Sequence, residues 1–517
     1  MKTQWDINTD VIVVGYGLAG AMSAIAAHDA GAKVLLMEKL PAPGGNSILS
    51  GGLVICSTNA EDVFKYLGAC SGERVDEAVI KFIAQGMVEL PGYINKLADA
   101  VGATISISYE PWLQYPFPGK ESFRTIRVLG FNDQEDIREV KFKTGLKKGA
   151  TSGITRYGGS VLMNMMFRHV EQRAIEVMLS TPAKRLVQDN EGRVVGLLAE
   201  SRSREISVKA NKAVILACGG FEFNDWLKKQ YCEIQPIYGI GCMGNTGDGI
   251  LMSQKAGAVL WHMWLLHGSY GFKFPEFPYA FRVPFGGALN PEKPAGMVWV
   301  LVNKDGKRFM NEGVPYLQDS AYRAIQSMNT DFLSTRTGVP EFTNIPCYMI
   351  FDEEARKKGP IAWPRTMFDE DRYEWSEDNM AEVEKGWIKR ADTVAKLAKK
   401  IKVNAAELER TLDRWNNQCV IGKDTDFSRI PGSMVQIKTP PYYAIECWPI
   451  LSNTQGGPRF NSKCQVVDPY DEPIPSLYKA GELGSFFGHL YSLGGNLSEC
   501  IIEGRAAGEN AAQCDRC

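Results

Sequence analysis

The clearest pattern of apolar and polar positions lies near the start of the chain. Val11-Ile12-Val13-Val14 is an unbroken apolar, largely β-branched run, which predicts a buried parallel strand. It ends in Gly15-Tyr16-Gly17-Leu18-Ala19-Gly20. Small residues then recur at Ala21, Ala24, Ala26, Ala27 and Ala30, a helical pattern. Positions 33–37 read as a second strand closing on Glu38. Further on, 75–103 predict helix. Three short runs at 185–187, 194–197 and 212–217 predict antiparallel strands, the last leading into Cys218-Gly219-Gly220-Phe221. Thr246-Gly247-Asp248-Gly249 predicts a helix start with Thr246 and Asp248 as caps. Aromatic residues crowd 259–286 but are interleaved with Pro and Gly, so no regular helix is expected there. Positions 381–418 read as surface helices and 473–479 as a strand. Leu493-Gly494-Gly495-Asn496 opens a last small-residue helix that runs through Ala512.

This order predicts an α/β fold. A Rossmann-type domain, 1–275, is interrupted by an α+β capping or catalytic domain, 276–437, where the composition becomes more charged. It resumes over 438–517. Hydrophobic residues make up 44%, enough for sizeable cores, and a net charge of −2 gives no reason to expect nucleic acid. Positions 1–9 are polar, so no leader is expected, and no apolar run reaches the roughly 20 residues of a membrane helix. The 12 cysteines are scattered singly apart from Cys514-Asp515-Arg516-Cys517. That pair has metal-ligand spacing but no second pair or nearby histidine. No metal is therefore expected, and the compartment is read as a reducing cytoplasm.

The residues themselves point to a dinucleotide. Gly15 permits a tight turn, Gly17 lets backbone approach a pyrophosphate, and Gly20 lets helix pack on strand. The backbone of Leu18 and Ala19 opens the helix toward the phosphates. Glu38, followed by Lys39, stands where a carboxylate accepts ribose hydroxyls. Gly45-Asn46-Ser47 and Ser50-Gly51-Gly52 suit a loop lying on a flat cofactor, with backbone N–H groups and Ser47 as donors. Ala217 and Gly219 pass beneath the adenosine, and Asp248 is a further candidate.

Taken together, GYGLAG with Glu38, GGNSILSGG, LACGGF, GNTGDG, VNKDGKRFMNE, NTQGGP, LYKAGE, LGGN and EGRAAG resemble the flavoproteins of the fumarate reductase and succinate dehydrogenase group. The resemblance implies FAD, with Glu482 on its ribityl chain. It also implies that the helix after Gly495, with Asn496 and Leu497 in its first turn, faces the flavin. Gly45 aligns with the flavin-linked histidine of membrane-bound relatives, which implies non-covalent FAD. Three positions depart from the dicarboxylate pattern: Tyr316, Asn453 and Ser492 replace an arginine, a histidine and an arginine. An unpaired substrate carboxylate in a desolvated site is costly, which argues against fumarate and succinate.

Tyr316, after Asn311-Glu312-Gly313-Val314-Pro315, and Tyr491, before Ser492-Leu493-Gly494-Gly495, are similar to the pattern of the 3-ketosteroid dehydrogenases. That resemblance implies a neutral cyclic ketone or enone as substrate. Tyr491 O–H and Gly495 N–H would hold the ketone oxygen, and Tyr316 would take the α-proton. The β-hydrogen would leave as hydride to flavin N5. Ser492 is a further donor or a helix cap. Tyr109 and Tyr115 are possible additional pocket tyrosines. His262, His267 and His489 are read as structural. Two other readings stay open: an ene reductase on the same scaffold, and a flavoprotein electron-transfer subunit. An external electron acceptor or donor is expected, and the oligomeric state is left undetermined.

Overall fold

The computed structural model describes residues 5–110, 115–132, 158–283, 299–312, 342–364, 373–492 and 494–515. The chain divides into two compact units. The first comprises Met1–Cys232, Gly241–Leu266 and Asn453–Cys517; the second comprises Glu233–Ile240 and His267–Ser452.

In the first unit the strand Ile7–Val14 pairs in parallel with Val34–Met37 on one side and Arg204–Leu216 on the other. Across the sheet the order is 465–467, 473–479, 204–216, 7–14, 34–37, 176–178. The antiparallel pair 183–188 and 194–201 extends from 204–216, as the three short runs predict. Val11, Ile12 and Val13 are fully buried because helices cover the sheet, which is why this strand is apolar without alternation. The helix Leu18–Asp29 is buried over most of its circumference. It packs against the C-terminal helix Gly495–Gln513 through glycines. A Cβ at Gly504 would meet Ala19 O at 2.8 Å, and one at Gly508 would collide with Ser23 O.

Two local expectations need correction. Gly45–Leu49 is a short helix rather than a loop: Gly44, at φ 128, turns the chain, and Ser50 Oγ donates to Ser47 O at 2.7 Å to close the turn. Thr246 and Asp248 do not cap the helix Asp248–Lys255. Gly247, at φ 74, is the N-cap, and both side chains bind Lys39 instead.

In the second unit the sheet order is 300–302, 347–352, 442–454, 266–272, 281–282, 363–364. Pairing of Cys347–Asp352 with Tyr442–Thr454 draws 438–452 into this unit, so its bounds differ from the expected 276–437. The helices Val394–Ile401 and Ala405–Ile421 start at Thr393 and Asn404, whose side chains accept from Lys396 N and Glu407 N. Their apolar faces bury Leu397, Leu408, Leu412 and Trp415 against Val300, Val302 and Ile350. A charged network holds the same region. Arg308 pairs with Glu312 at 2.8 Å and Asp424 at 3.0 Å, and Arg429 reaches Trp299 O at 2.7 Å. Glu312, of the Asn311-Glu312 pair, is thus a buried structural anion. The aromatic stretch packs largely on its own unit: Phe274 stacks on Trp387 at 3.9 Å, with Phe277, Phe281, Tyr373 and Trp375 around them.

Candidate functional site

The first unit contains a cavity at the carboxyl ends of its central strands. Gly15, Gly17, Leu18, Ala19, Glu38, Lys39, Gly45, Asn46, Ser47, Ala217, Gly219, Asp248 and Glu482 all line it. Several of these positions are separated by hundreds of residues in the chain, yet sequence reasoning assigned them to one ligand.

Their geometry suits a dinucleotide. A Cβ at Gly15 would collide with Ala217 O, and one at Gly20 with Gly15 O, so strand and helix approach more closely than a side chain allows. Gly17 is the N-cap of the first helix and has no side chain of its own to cap it, so its N-terminus lies at the cavity wall and suits an anion there. Ser47 Oγ accepts from Leu18 N at 3.2 Å and ties the second glycine segment to that helix. Glu38 is buried. Its two oxygens accept from Tyr16 N at 2.8 Å and Leu40 N at 2.9 Å, and each keeps a lone pair for a further donor. Burial raises its carboxyl above the ordinary range, opposed by those N–H groups. Lys39 Nζ binds Thr246 Oγ1 at 2.6 Å and Asp248 Oδ2 at 2.7 Å, joining two walls.

The remaining candidates lie off this cavity. Gly20 is packed under Gly15. Ser50 closes the turn of the short helix, Gly51 does not line the cavity, and a Cβ at Gly52 would collide with Gly158. Asn496 exchanges hydrogen bonds with Gln455 at 2.9 and 3.1 Å and donates to Glu499 at 2.8 Å. Leu497 is buried in the first turn of its helix. Tyr316 lies outside the described residues, as do Leu493, Arg516 and Cys517.

Tyr491 is buried against Phe487, edge to face at 5.0 Å. Burial raises its pKa above the usual phenol range, opposed by the backbone N–H groups of Asn496 and Gly494. The Gly495 N–H, expected to hold a ketone oxygen, instead donates to Ser492 O at 2.8 Å, and a Cβ at Gly495 would collide with the Phe487 ring. Burial raises the Tyr66 phenol above its ordinary range, opposed by Tyr115 N, which its hydroxyl accepts at 2.8 Å, and by the Ser492 side chain. Tyr115 is buried, whereas Tyr109 is exposed. His262 is held between Ser485 O at 3.1 Å and Arg74 O at 3.2 Å, a structural setting.

Sequence reasoning missed Thr181, Cys218, Cys242, Asn245 and Cys500 in the cavity wall. Cys218 and Asn245 sit inside LACGGF and GNTGDG, so proximity to the glycines could have marked them. Cys242 and Cys500 carry no such signal. Burial pushes the Cys218 and Cys242 thiols up to about 12, so both are neutral. No group of His, Cys, Asp and Glu among the described residues could hold a metal ion. No described helix is long and apolar enough to cross a membrane.

The comparisons agree with this cavity. The profile of the FAD binding domain family matches residues 10–497. The chain is 28% identical over 511 residues to a fumarate reductase (cytochrome) of Shewanella frigidimarina, covering 98% of this chain and 77% of that one. It is 27% identical over 582 residues to the 3-oxosteroid 1-dehydrogenase of Mycolicibacterium smegmatis, covering 96% of each. In fold it is similar to 3-ketosteroid Δ1-dehydrogenase from Sterolibacterium denitrificans, with a TM-score of 0.79 at 22% identity over 98% of this chain and 99% of that one. The glycine-lined cavity fits the family's cofactor. The chain belongs to the FAD binding domain family and is an FAD-dependent oxidoreductase of the fumarate reductase and 3-ketosteroid dehydrogenase group.

Proposed function

We propose that the protein introduces a C=C bond next to the carbonyl of a steroid or other cyclic ketone. The observation that carries this reading is the Tyr491 hydroxyl. It stands beside the start of the helix Gly495–Gln513, where the backbone N–H groups of Gly494 and Asn496 favour its ionised form against burial. Those N–H groups, with the positive helix end, polarise the O–H and make it a better donor to a ketone oxygen. Burial keeps the phenol neutral, which suits a donor and not a base. Tyr316 is assigned the α-proton. Bound FAD supplies the hydride acceptor. Gly495 and Ser492 support the turn that aims Tyr491, since the N–H of one is given to the carbonyl of the other. Asn453 donates to Glu482 at 3.1 Å, and neither it nor Ser492 offers a cation, which favours a neutral substrate over a dicarboxylate.

FAD is assigned, without a covalent link, to the cavity of the first unit, and the substrate and catalytic role expected of 276–437 to the second. Cytoplasmic localisation is favoured by the free state of the described cysteines. An external electron acceptor or donor completes turnover. Enone reduction is the second reading, favoured by the 28% identity to a fumarate reductase.

Anaerobic mixing with a panel of saturated cyclic ketones and the matching enones tests both. Bleaching of the flavin band by a ketone supports the dehydrogenase. Reoxidation of reduced enzyme by enones, without bleaching by ketones, selects the reductase. Rapid reoxidation by fumarate overturns the neutral-substrate assignment. Silence toward every compound overturns both readings and leaves an electron-transfer role.

A further inference from the structure

We propose that Glu222 is a positioning residue for the cofactor: it shares one proton with Glu482, so the pair carries a single negative charge and Glu482 presents a fixed hydrogen-bond acceptor to the cavity. This rests on the reading of Glu482 as a residue that contacts FAD.

The two carboxyls converge over Gly220. A Cβ there would lie 2.7 Å from Glu482 Oε1 and 3.0 Å from Glu222 Oε2, and it would collide with Thr454 Oγ1. Only glycine leaves room for the pair. Glu222 is fully buried, and its Oε2 receives no hydrogen bond from a neighbouring donor. The group that faces it is the Glu482 carboxyl. The donors that reach the two acids are neutral. Asn46 Nδ2 reaches Glu222 Oε1 at 3.4 Å, and the neighbouring Asn245 side chain favours the ionised form of Glu222. Thr454 N reaches Glu482 Oε1 at 3.1 Å, and Asn453 Nδ2 reaches Oε2 at 3.1 Å.

Among the described residues, no ammonium or guanidinium pairs with either acid. Lys39 is engaged by Asp248, and Lys479 by Glu503 at 2.6 Å. The titratable groups facing the pair from the surrounding elements are Cys242, Cys500, Tyr491 and Glu499. Burial holds the two thiols and the phenol neutral, and Glu499 has the same sign as the pair. Two carboxylates side by side in a desolvated wall cannot both ionise, so a proton must stay between them. Two donors stabilise anionic Glu482, while burial, followed by the Glu482 charge, holds the Glu222 carboxyl well above the ordinary carboxylate range. The proton therefore resides on Glu222 and is donated to Glu482. Filling the cavity removes water from Glu482 and strengthens the pair's hold on that proton. FAD binding accordingly takes up a proton from solvent wherever the empty protein has begun to lose it.

The test uses full-length apo-protein titrated with FAD. Binding is followed by flavin fluorescence from about pH 6 to about pH 9, and by calorimetry in two buffers of different ionisation enthalpy. The wild type should take up a growing fraction of one proton, its Kd rising with pH by up to about tenfold per unit. Glu222→Gln should bind FAD with no linked proton and a nearly flat Kd. A second readout needs no cofactor. The pair's proton affinity is raised by folding, so its stabilisation is complete below the unfolded carboxylate value and is lost as pH rises through the folded value. The apo melting temperature should fall across that range, and less steeply in Glu222→Gln.

Zero proton uptake by the wild type overturns the shared proton, whether or not the variant folds. A Glu222→Gln protein that keeps the wild-type slope does so too. Glu482→Gln should weaken FAD at the acid end of the range by tenfold or more. Unchanged affinity there overturns the contact between Glu482 and FAD, and with it the positioning role, independently of the proton count.

Discussion

Replacing Tyr491 by phenylalanine separates the two jobs assigned to its hydroxyl. The ring stays in its edge contact with Phe487, so packing is kept. The lost oxygen lies beside the N–H groups of Gly494 and Asn496, so unfolding should become easier by about 1–3 kcal/mol. Thermal unfolding should register that as a drop of several degrees. Tyr491 does not line the cofactor cavity, so FAD affinity should change little. The catalytic effect should be larger than the structural one. Removing one donor to a developing oxyanion lowers the rate by about 10²–10³. The assay is anaerobic stopped-flow bleaching of the flavin by a ketone substrate, with FAD content measured on the same sample. The companion Tyr316→Phe should lose roughly 10²–10⁴, and the double variant less than the product of the two, because both groups serve one proton transfer. Bleaching at near wild-type rates by Tyr491→Phe would refute the donor role. A slow variant that has also lost its FAD would assign the effect to the cavity instead.

Further outcomes follow from the same geometry. Glu38→Ala removes the acceptor for Tyr16 N and Leu40 N along with the ribose partner, so the FAD Kd should rise roughly 10- to 100-fold and the apo-protein should melt earlier; equilibrium titration and thermal melts check this. Acid precipitation should release FAD into the supernatant, because glycine stands at position 45; flavin retained in the pellet would contradict non-covalent attachment. In the second unit, hydrogen bonds from Arg356 hold the Glu353 carboxyl down to about 2, with help from Tyr443. A depressed carboxyl stabilises the fold above its unfolded value and stops doing so as pH falls through the folded one. Wild-type melting temperature should therefore decline between about pH 4.5 and about pH 2, and Glu353→Gln should be lower at neutral pH with a shallower decline.

Much of the cofactor cavity was legible because its parts obey local rules. A β-branched run, glycines at fixed spacing and an acid at the end of the next strand each have one economical structural use. What escaped was decided by partners far away in the chain. Thr246 and Asp248 have the composition of a helix cap, yet Lys39, more than 200 residues earlier, takes both side chains. The Gly45–Leu49 segment reads as a loop against a flat cofactor but is wound into a helix by the turn at Gly44. Glu312, in the Asn311-Glu312 pair that places Tyr316 in the sequence, is a buried counter-ion for Arg308 and Arg429. Glu222 left no trace, because a buried acid is conspicuous only when the second acid facing it is known. The Tyr316 assignment falls outside the described residues and rests on resemblance.

The position of the strand Pro473–Lys479 has a consequence for biosynthesis. It pairs in parallel with Arg204–Leu216, and the residues that follow it, Ala480, Glu482 and Cys500, close one wall of the cavity opened by Gly15 and Gly17. The ribosome therefore makes the phosphate-facing turn hundreds of residues before the wall that completes it. A nascent chain interrupted before Pro473 has the glycine turn but not the completed cavity wall, and the edge of Arg204–Leu216 at 214–216 lacks its neighbour. Cofactor capture belongs to the finished chain, and until then this unpaired strand edge is where a chaperone would be most needed.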